Sequence, residues 1–219
     1  MKLSEQLYSS VKELWDGYYC HPFVAGIGDG TLPMEKFRFY MLQDYLYLYD
    51  YAKVFALGVV KARDHSLMRF FSEQVNATLH GEMNIHHTYM ERLGITEDEV
   101  SHAQMSLANK SYTKYMLEVG YSEGVLELLV SILSCAWSYQ KIGEVLSKIP
   151  GAMEHEFYGE WIQGYASTDY QKATQEILDM VDQLGAEAST QTVEHLIEIF
   201  ISCSRYEMMF WDMSYNMEA

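Results

Sequence analysis

EGVLELLVSILSCAWSYQKIGEVLSK, residues 123–148, is the stretch that decides the fold. Its residues Leu128, Ile132, Cys135, Tyr139 and Ile142 recur three and four positions apart. That spacing is one face of an α-helix. Ser122 stands where a capping hydroxyl is favoured, and Pro150 with Gly151 ends the run. No stretch of the chain alternates apolar and polar residues as a half-buried strand does.

Working outward, the same period predicts helices over residues 2–19, from Pro33 to about Ala62, and from His65 to Leu93. Thr96 and Glu99 have capping-box spacing and predict a short helix. Further helices are expected over 111–118, 154–165, 168–184 and 191–217. The glycine-rich segment 21–32 reads as a turn between helices, since it lacks the spacing and preceding strand of a nucleotide loop. No linker, composition break or repeat divides the chain. The expectation is therefore all-α, a single-domain helical bundle over residues 1–219.

Composition bounds the function. Fifteen Lys and Arg stand against 31 Asp and Glu, a net charge of −16. So acidic a surface repels phosphate backbones and anionic membranes, which argues against nucleic-acid and membrane partners. Three cysteines, Cys20, Cys135 and Cys203, are too few for a disulfide framework and suit a reducing, cytoplasmic compartment. No signal-peptide core and no apolar run of roughly 18 residues is visible. Three prolines suit long helices, and 18 tyrosines with 14 methionines suit a soft aromatic core.

The apolar faces are interrupted at a few positions. The face Phe37, Tyr40, Asp44, Tyr47, Tyr51 carries Asp44. The face Phe71, Val75, Leu79, Glu82, His86, Met90, Leu93 carries Glu82 and His86, and Leu196, Phe200, Cys203, Glu207, Phe210 carries Glu207. A buried carboxylate costs several kcal/mol unless it is paired or protonated. These residues therefore need partners, a metal or a ligand. Structural pairs, such as Glu82 with His86, are one reading. A metal site of Asp44, Glu82, His86 and Glu207 is another, although Glu-x-x-His, the usual di-iron signature of bundles, occurs only at Glu99 and His102 in a polar segment. A reactive Cys135 thiol beside hydroxyls and a carboxylate is the third.

The chain resembles the thiaminase II (TenA) family. The matching stretches run in order: His21-Pro22-Phe23-Val24, then Gly26 to Pro33, and Leu42-Gln43-Asp44 with Tyr47. Glu82-Met83 with His86, Ser111-Tyr112, and Cys135 with Trp137 and Tyr139 follow. Trp161-Ile162 with Tyr165, then Tyr206-Glu207 with Phe210-Trp211, complete the set. The resemblance implies a haem-oxygenase-like fold without haem, no cofactor, no metal and a homotetramer. It implies a hydrolase of thiamin salvage that releases 4-amino-5-hydroxymethyl-2-methylpyrimidine from the aminomethylpyrimidine, and from thiamin as well, since Cys135 marks the cysteine-containing branch. By the same resemblance Cys135 is the nucleophile and Glu207 the acid. Asp44, Tyr47, Tyr112, Tyr139, Tyr165 and Phe210 bind the substrate; Glu82 and His86 also match the family, without a direct chemical role, and read as supporting or structural residues. It also implies that a chain end at Ala219 shortens a C-terminal cover over the pocket. A metal-dependent oxidase on the same fold and a non-catalytic pyrimidine-binding or regulatory protein are the alternatives.

Overall fold

The computed structural model describes residues 1–218, so the chain end at Ala219, with the expected cover, lies outside the described residues. All regular structure among the described residues is helical. Backbone proximity divides the chain into two compact units, residues 1–33 with 129–211 and residues 34–128 with 212–219.

In the first unit, α1 (Leu3–Cys20) is followed by α2 (Pro22–Asp29). α1 buries Leu7, Val11, Trp15 and Tyr18 completely or nearly so, at the spacing of one helix face. Trp15 is the hub of an aromatic cluster. Its ring centroid lies 5.5 Å from Trp137 and 5.6 Å from Phe200. Such aromatic pairs add about 0.5–1.5 kcal/mol each beyond burial.

Helix α2 replaces the expected turn over residues 21–32. The His21 side chain accepts from the Phe23 backbone N–H, Pro22 opens the first turn, and Gly30 ends it in the left-handed region at φ 77°. The glycines within α2 serve packing rather than flexibility. A Cβ at Gly26 would sit 3.1 Å from Leu32 backbone atoms, and one at Gly28 would sit 2.7 Å from Ile149 and 2.8 Å from Leu146. Close approach needs glycine as a turn does, and a sequence does not distinguish the two.

In the second unit, α3 (Met34–Lys61) is the central helix and packs against α4 (His65–Asn76), against α5 (Met83–Arg92) and against α7 (Leu107–Ser122). The short α6 (Glu97–His102) starts on the expected capping box, with Thr96 Oγ1 accepting from the Glu99 backbone N–H. α3 meets α4 closely at Gly58, where a Cβ would lie 2.3 Å from the Phe71 ring.

Between α4 and α5 the backbone widens into a π segment, Ala77–Glu82, with the Met83 N–H reaching five residues back to the Thr78 carbonyl. The wider turn moves the buried face by one residue. Thr78 is buried and Leu79 faces solvent, which corrects the expected face. Beyond the π segment the expected face resumes, with His86, Met90 and Leu93 buried and Glu82 half-buried.

α8 (Val125–Leu146), α9 (Gly159–Ala166), α10 (Thr168–Leu184) and α11 (Thr190–Asn216) complete the chain. The expected short helix over 111–118 is longer at both ends, Leu107–Ser122, and the Ser106 hydroxyl caps its start by accepting from the Asn109 backbone N–H. Ser122 does not cap α8. Its hydroxyl donates to the Glu118 carbonyl and carboxylate, each at 2.6 Å, and so closes α7. No helix among the described residues is long and apolar enough to cross a membrane.

Candidate active site

The singled-out residues fall into two sets, one in each unit. The first unit holds Cys135 and Tyr139 on α8, Tyr165 on α9, and Glu207 with Phe210 on α11. Their helical spacing explains the grouping: Cys135 and Tyr139 are one turn apart, as are Glu207 and Phe210. Glu207, Phe210 and Tyr139 are buried, whereas Cys135 and Tyr165 keep partial exposure. The tyrosines are held by other rings. Tyr139 lies 4.8 Å from Tyr165 and 5.2 Å from Trp211, centroid to centroid. The close pass of α8 against this corner depends on Gly143, where a Cβ would meet the Tyr165 carbonyl carbon at 2.6 Å.

Tyr18 is the neighbour that sequence reasoning passed over. It is fully buried, and its hydroxyl donates to the Ser204 carbonyl. Burial pushes its pKa well above the usual tyrosine value, and the charges of Glu207 and Cys135 push the same way. Tyr18 is thus electrostatically close to both the candidate nucleophile and the candidate acid. Ser204 also accepts from the Trp15 indole at 3.0 Å and pairs with Ser134 at 3.0 Å. The available signal was Tyr18's place on the apolar face of α1, which reads as ordinary core. Cys203 is wholly buried, and burial followed by the Glu207 charge pushes its thiol well up, so it stays protonated and unreactive.

The second unit holds Asp44 and Tyr47 on α3, Glu82 at the end of the π segment, His86 on α5 and Tyr112 on α7. Asp44, Tyr47, His86 and Tyr112 are buried, and Glu82 is half-buried. His86 Nε2 lies 2.7 Å from Asp44 Oδ2, and the Tyr40 hydroxyl donates to the same oxygen at 3.3 Å. Tyr40 sits one turn before Asp44 on the same face, so that contact was readable from spacing. The Tyr47 ring lies 5.6 Å from Tyr112 and 5.2 Å from Tyr51. The Tyr47 hydroxyl points at the Met116 sulfur, 3.7 Å away.

Two groups of this set titrate near neutrality. Burial pushes the Glu82 carboxyl up to about 7, with His86 opposing and Asp44 adding to the rise. For His86, burial lowers the pKa, but the hydrogen bond and charge of Asp44 and the charge of Glu82 prevail and raise it to about 8. The expected contact between Glu82 and His86 exists, although it runs from the ring Nδ1 to the Glu82 backbone carbonyl at 3.0 Å. Among the described residues, no group of three or more His, Cys, Asp or Glu side chains is arranged to hold a metal ion. Glu99 and His102 lie on the exposed α6, where His102 turns back to the Asp98 carbonyl at 2.8 Å.

The comparisons with known proteins agree over the whole length. The TENA/THI-4/PQQC family model matches residues 8–217. The aminopyrimidine aminohydrolase of Helicobacter pylori is 49% identical over 216 residues, which cover 99% of this chain and 100% of that protein. The solved structure of the TenA homologue from P. horikoshii OT3 is 27% identical and superposes with a TM-score of 0.91, covering 99% of each chain. Haem oxygenase-1 from Synechocystis, 15% identical, superposes with a TM-score of 0.69 over 97% of this chain and 91% of its own. The last likeness concerns the fold alone, and the all-α fold is haem-oxygenase-like.

Proposed function

The chain belongs to the TENA/THI-4/PQQC family, and from that premise we propose that it is an aminopyrimidine aminohydrolase of thiamin salvage. Its full-length similarity to the Helicobacter pylori aminohydrolase is the observation that carries this reading. The substrate is 4-amino-5-aminomethyl-2-methylpyrimidine, with thiamin as a second substrate. The product is 4-amino-5-hydroxymethyl-2-methylpyrimidine.

In the proposed reaction the Cys135 thiolate adds to a carbon of the pyrimidine ring. The electron pair it supplies expels the amine from the exocyclic methylene, and Glu207 gives that amine its proton. Water then adds at the methylene carbon while Glu207 takes a proton back. Loss of the thiolate restores the aromatic ring. Covalent attachment divides one hard displacement into easier steps. The partial exposure of Cys135, which lets a ligand reach the thiol, and the burial of Glu207, which favours the protonated form an acid needs, support this division of roles.

Asp44 anchors the aminopyrimidine edge through hydrogen bonds. Tyr47 and Phe210 contact the ring faces, and Tyr112, Tyr139 and Tyr165 hydrogen-bond the substrate, Asp44 or the Cys135 thiol. Aromatic side chains suit a flat heterocycle because they offer large apolar faces. Glu82 and His86 support Asp44. The whole chain acts as one catalytic domain, without metal or cofactor, as a homotetramer in the cytoplasm; light scattering in solution checks the tetramer.

Incubating the purified protein with the aminomethylpyrimidine and, separately, with thiamin tests the reading by product analysis. Release of the hydroxymethylpyrimidine is expected, and Cys135→Ser should abolish it with the helical spectrum unchanged. No turnover of either compound, or full activity in the variant, overturns it.

A further inference from the structure

The Asp44–His86 contact fixes the position of a proton. In the second unit, α3 and the π segment are packed against α5. From α3 come Asp44 and Tyr40, and from the π segment comes Glu82. Asp44 is 6% and His86 5% exposed, so solvent does not settle their charges. His86 Nδ1 lies 3.0 Å from the Glu82 carbonyl oxygen, which can only accept. Nδ1 therefore carries hydrogen. Nε2, 2.7 Å from Asp44 Oδ2, then has two choices. A bare nitrogen lone pair would face an oxygen lone pair at a repulsive distance, or a proton lies between them.

That proton makes the pair either imidazolium with carboxylate or two neutral groups. The Tyr40 hydroxyl donates to the same Oδ2 at 3.3 Å. A donated hydrogen bond favours the charged form of a carboxyl group. Glu82 contributes its negative charge to the imidazolium once ionised. Both protein contacts converge on Oδ2, so Oδ1 is the oxygen left to meet a ligand's N–H.

We propose that His86 is a positioning residue which, locked as an imidazolium between the Glu82 carbonyl and Asp44 Oδ2, keeps Asp44 a carboxylate whose Oδ1 accepts from the N–H groups of an aminopyrimidine. The proposal rests on the reading of Asp44 as the pyrimidine anchor, although its proton claim can be tested without any substrate. Loss of the imidazolium proton at high pH leaves two acceptors face to face and unseats the anchor. Pyrimidine affinity then falls with pH, up to about tenfold per unit above the His86 midpoint.

The experiment has two arms. In the first, the NMR titration of His86 in histidine-labelled full-length protein should show Nδ1 and Nε2 both protonated at neutrality, with a midpoint near the pKa of about 8. Asp44→Asn should lower that midpoint. A wild-type midpoint at or below the ordinary histidine value overturns the proposal, whatever the protein hydrolyses. In the second, calorimetry measures binding of 4-amino-5-hydroxymethyl-2-methylpyrimidine between pH 6.5 and 9. The wild type should weaken across this range. His86→Gln, which keeps a donor that does not titrate, should lose the fall in affinity above the His86 midpoint, and His86→Leu should bind weakly throughout. An unchanged pH profile in His86→Gln overturns the proposal. Absence of pyrimidine binding at every pH, with the expected NMR titration, fails the hydrolase reading and leaves the proton assignment standing. Should His86→Leu not fold, the wild-type titration and His86→Gln decide.

Discussion

At the scale of residues, the three cysteines have separate environments. Cys20 is exposed, Cys135 half-buried and Cys203 fully buried. Thiolates react and buried thiols do not. Iodoacetamide on the native protein should modify Cys20 and Cys135, with Cys203 reacting only after denaturation; mass spectrometry of the peptides checks the order. Rapid modification of Cys203 in the native state would contradict the packing around it. Glu207 is buried, and as the proposed proton donor it cannot be replaced by its amide. Glu207→Gln should lower kcat by roughly 10²–10⁴-fold, the usual worth of a general acid, with a smaller change in KM. A steady-state comparison at several pH values is the measurement. These residues were readable from the sequence because a carboxylate or thiol on an apolar helix face is conspicuous. Tyr18 was not, since a tyrosine on such a face looks like core, and only tertiary packing brings it within reach of the Glu207 and Cys135 charges.

At the scale of elements, helix spacing depends on where glycine stands. The Gly58–Phe71 contact leaves no room for a methyl group, because the nearest ring atom would be 2.3 Å from it and the ring is fully buried. Gly58→Ala should destabilise the protein by about 1–3 kcal/mol through overpacking, despite alanine's better helix propensity. Urea unfolding reads the outcome, and a stabilised variant would contradict the close approach of α3 and α4. The glycines of α2 carry the same lesson. Their composition suggested a turn, yet His21, Pro22 and Gly30 supply a complete set of helix start and stop signals around them. The π segment was equally hidden. A residue accommodated by one wide turn leaves no mark in apolar periodicity except a phase slip, here between Leu79 and Thr78.

At the scale of the whole molecule, charge and titration set the response to pH. Glu82 and His86 both bind protons more tightly in the folded than in the unfolded chain. The stability they contribute is therefore present in full below their unfolded values, about 4.5 for Glu82 and 6.5 for His86, and is lost as pH rises through about 7 and 8. His86 accounts for about 2 kcal/mol of this. Asp50 works in the opposite sense. Burial raises its pKa, but hydrogen bonds from Lys53 and Lys114 prevail and lower it, so its contribution disappears only as pH falls into the acid range. Urea midpoints should decline between pH 6 and 9, and His86→Gln should flatten that decline. A wild-type midpoint that rises over this range would contradict the buried pair.

Taken by itself, the sequence determined the helical class, most helix positions, and the small set of polar residues that interrupt the apolar faces. Periodicity and capping are local properties, written in residues three to five positions apart. The ordered family motifs added the chemistry expected of those residues. What only the tertiary structure decided was pairing: that His86 meets Asp44 rather than the Glu82 carboxylate, and that the Tyr18 hydroxyl meets the Ser204 carbonyl. It also decided that the glycines of α2 serve close packing. These are contacts between residues far apart in the chain, where distance and burial rather than spacing set the charge each group carries.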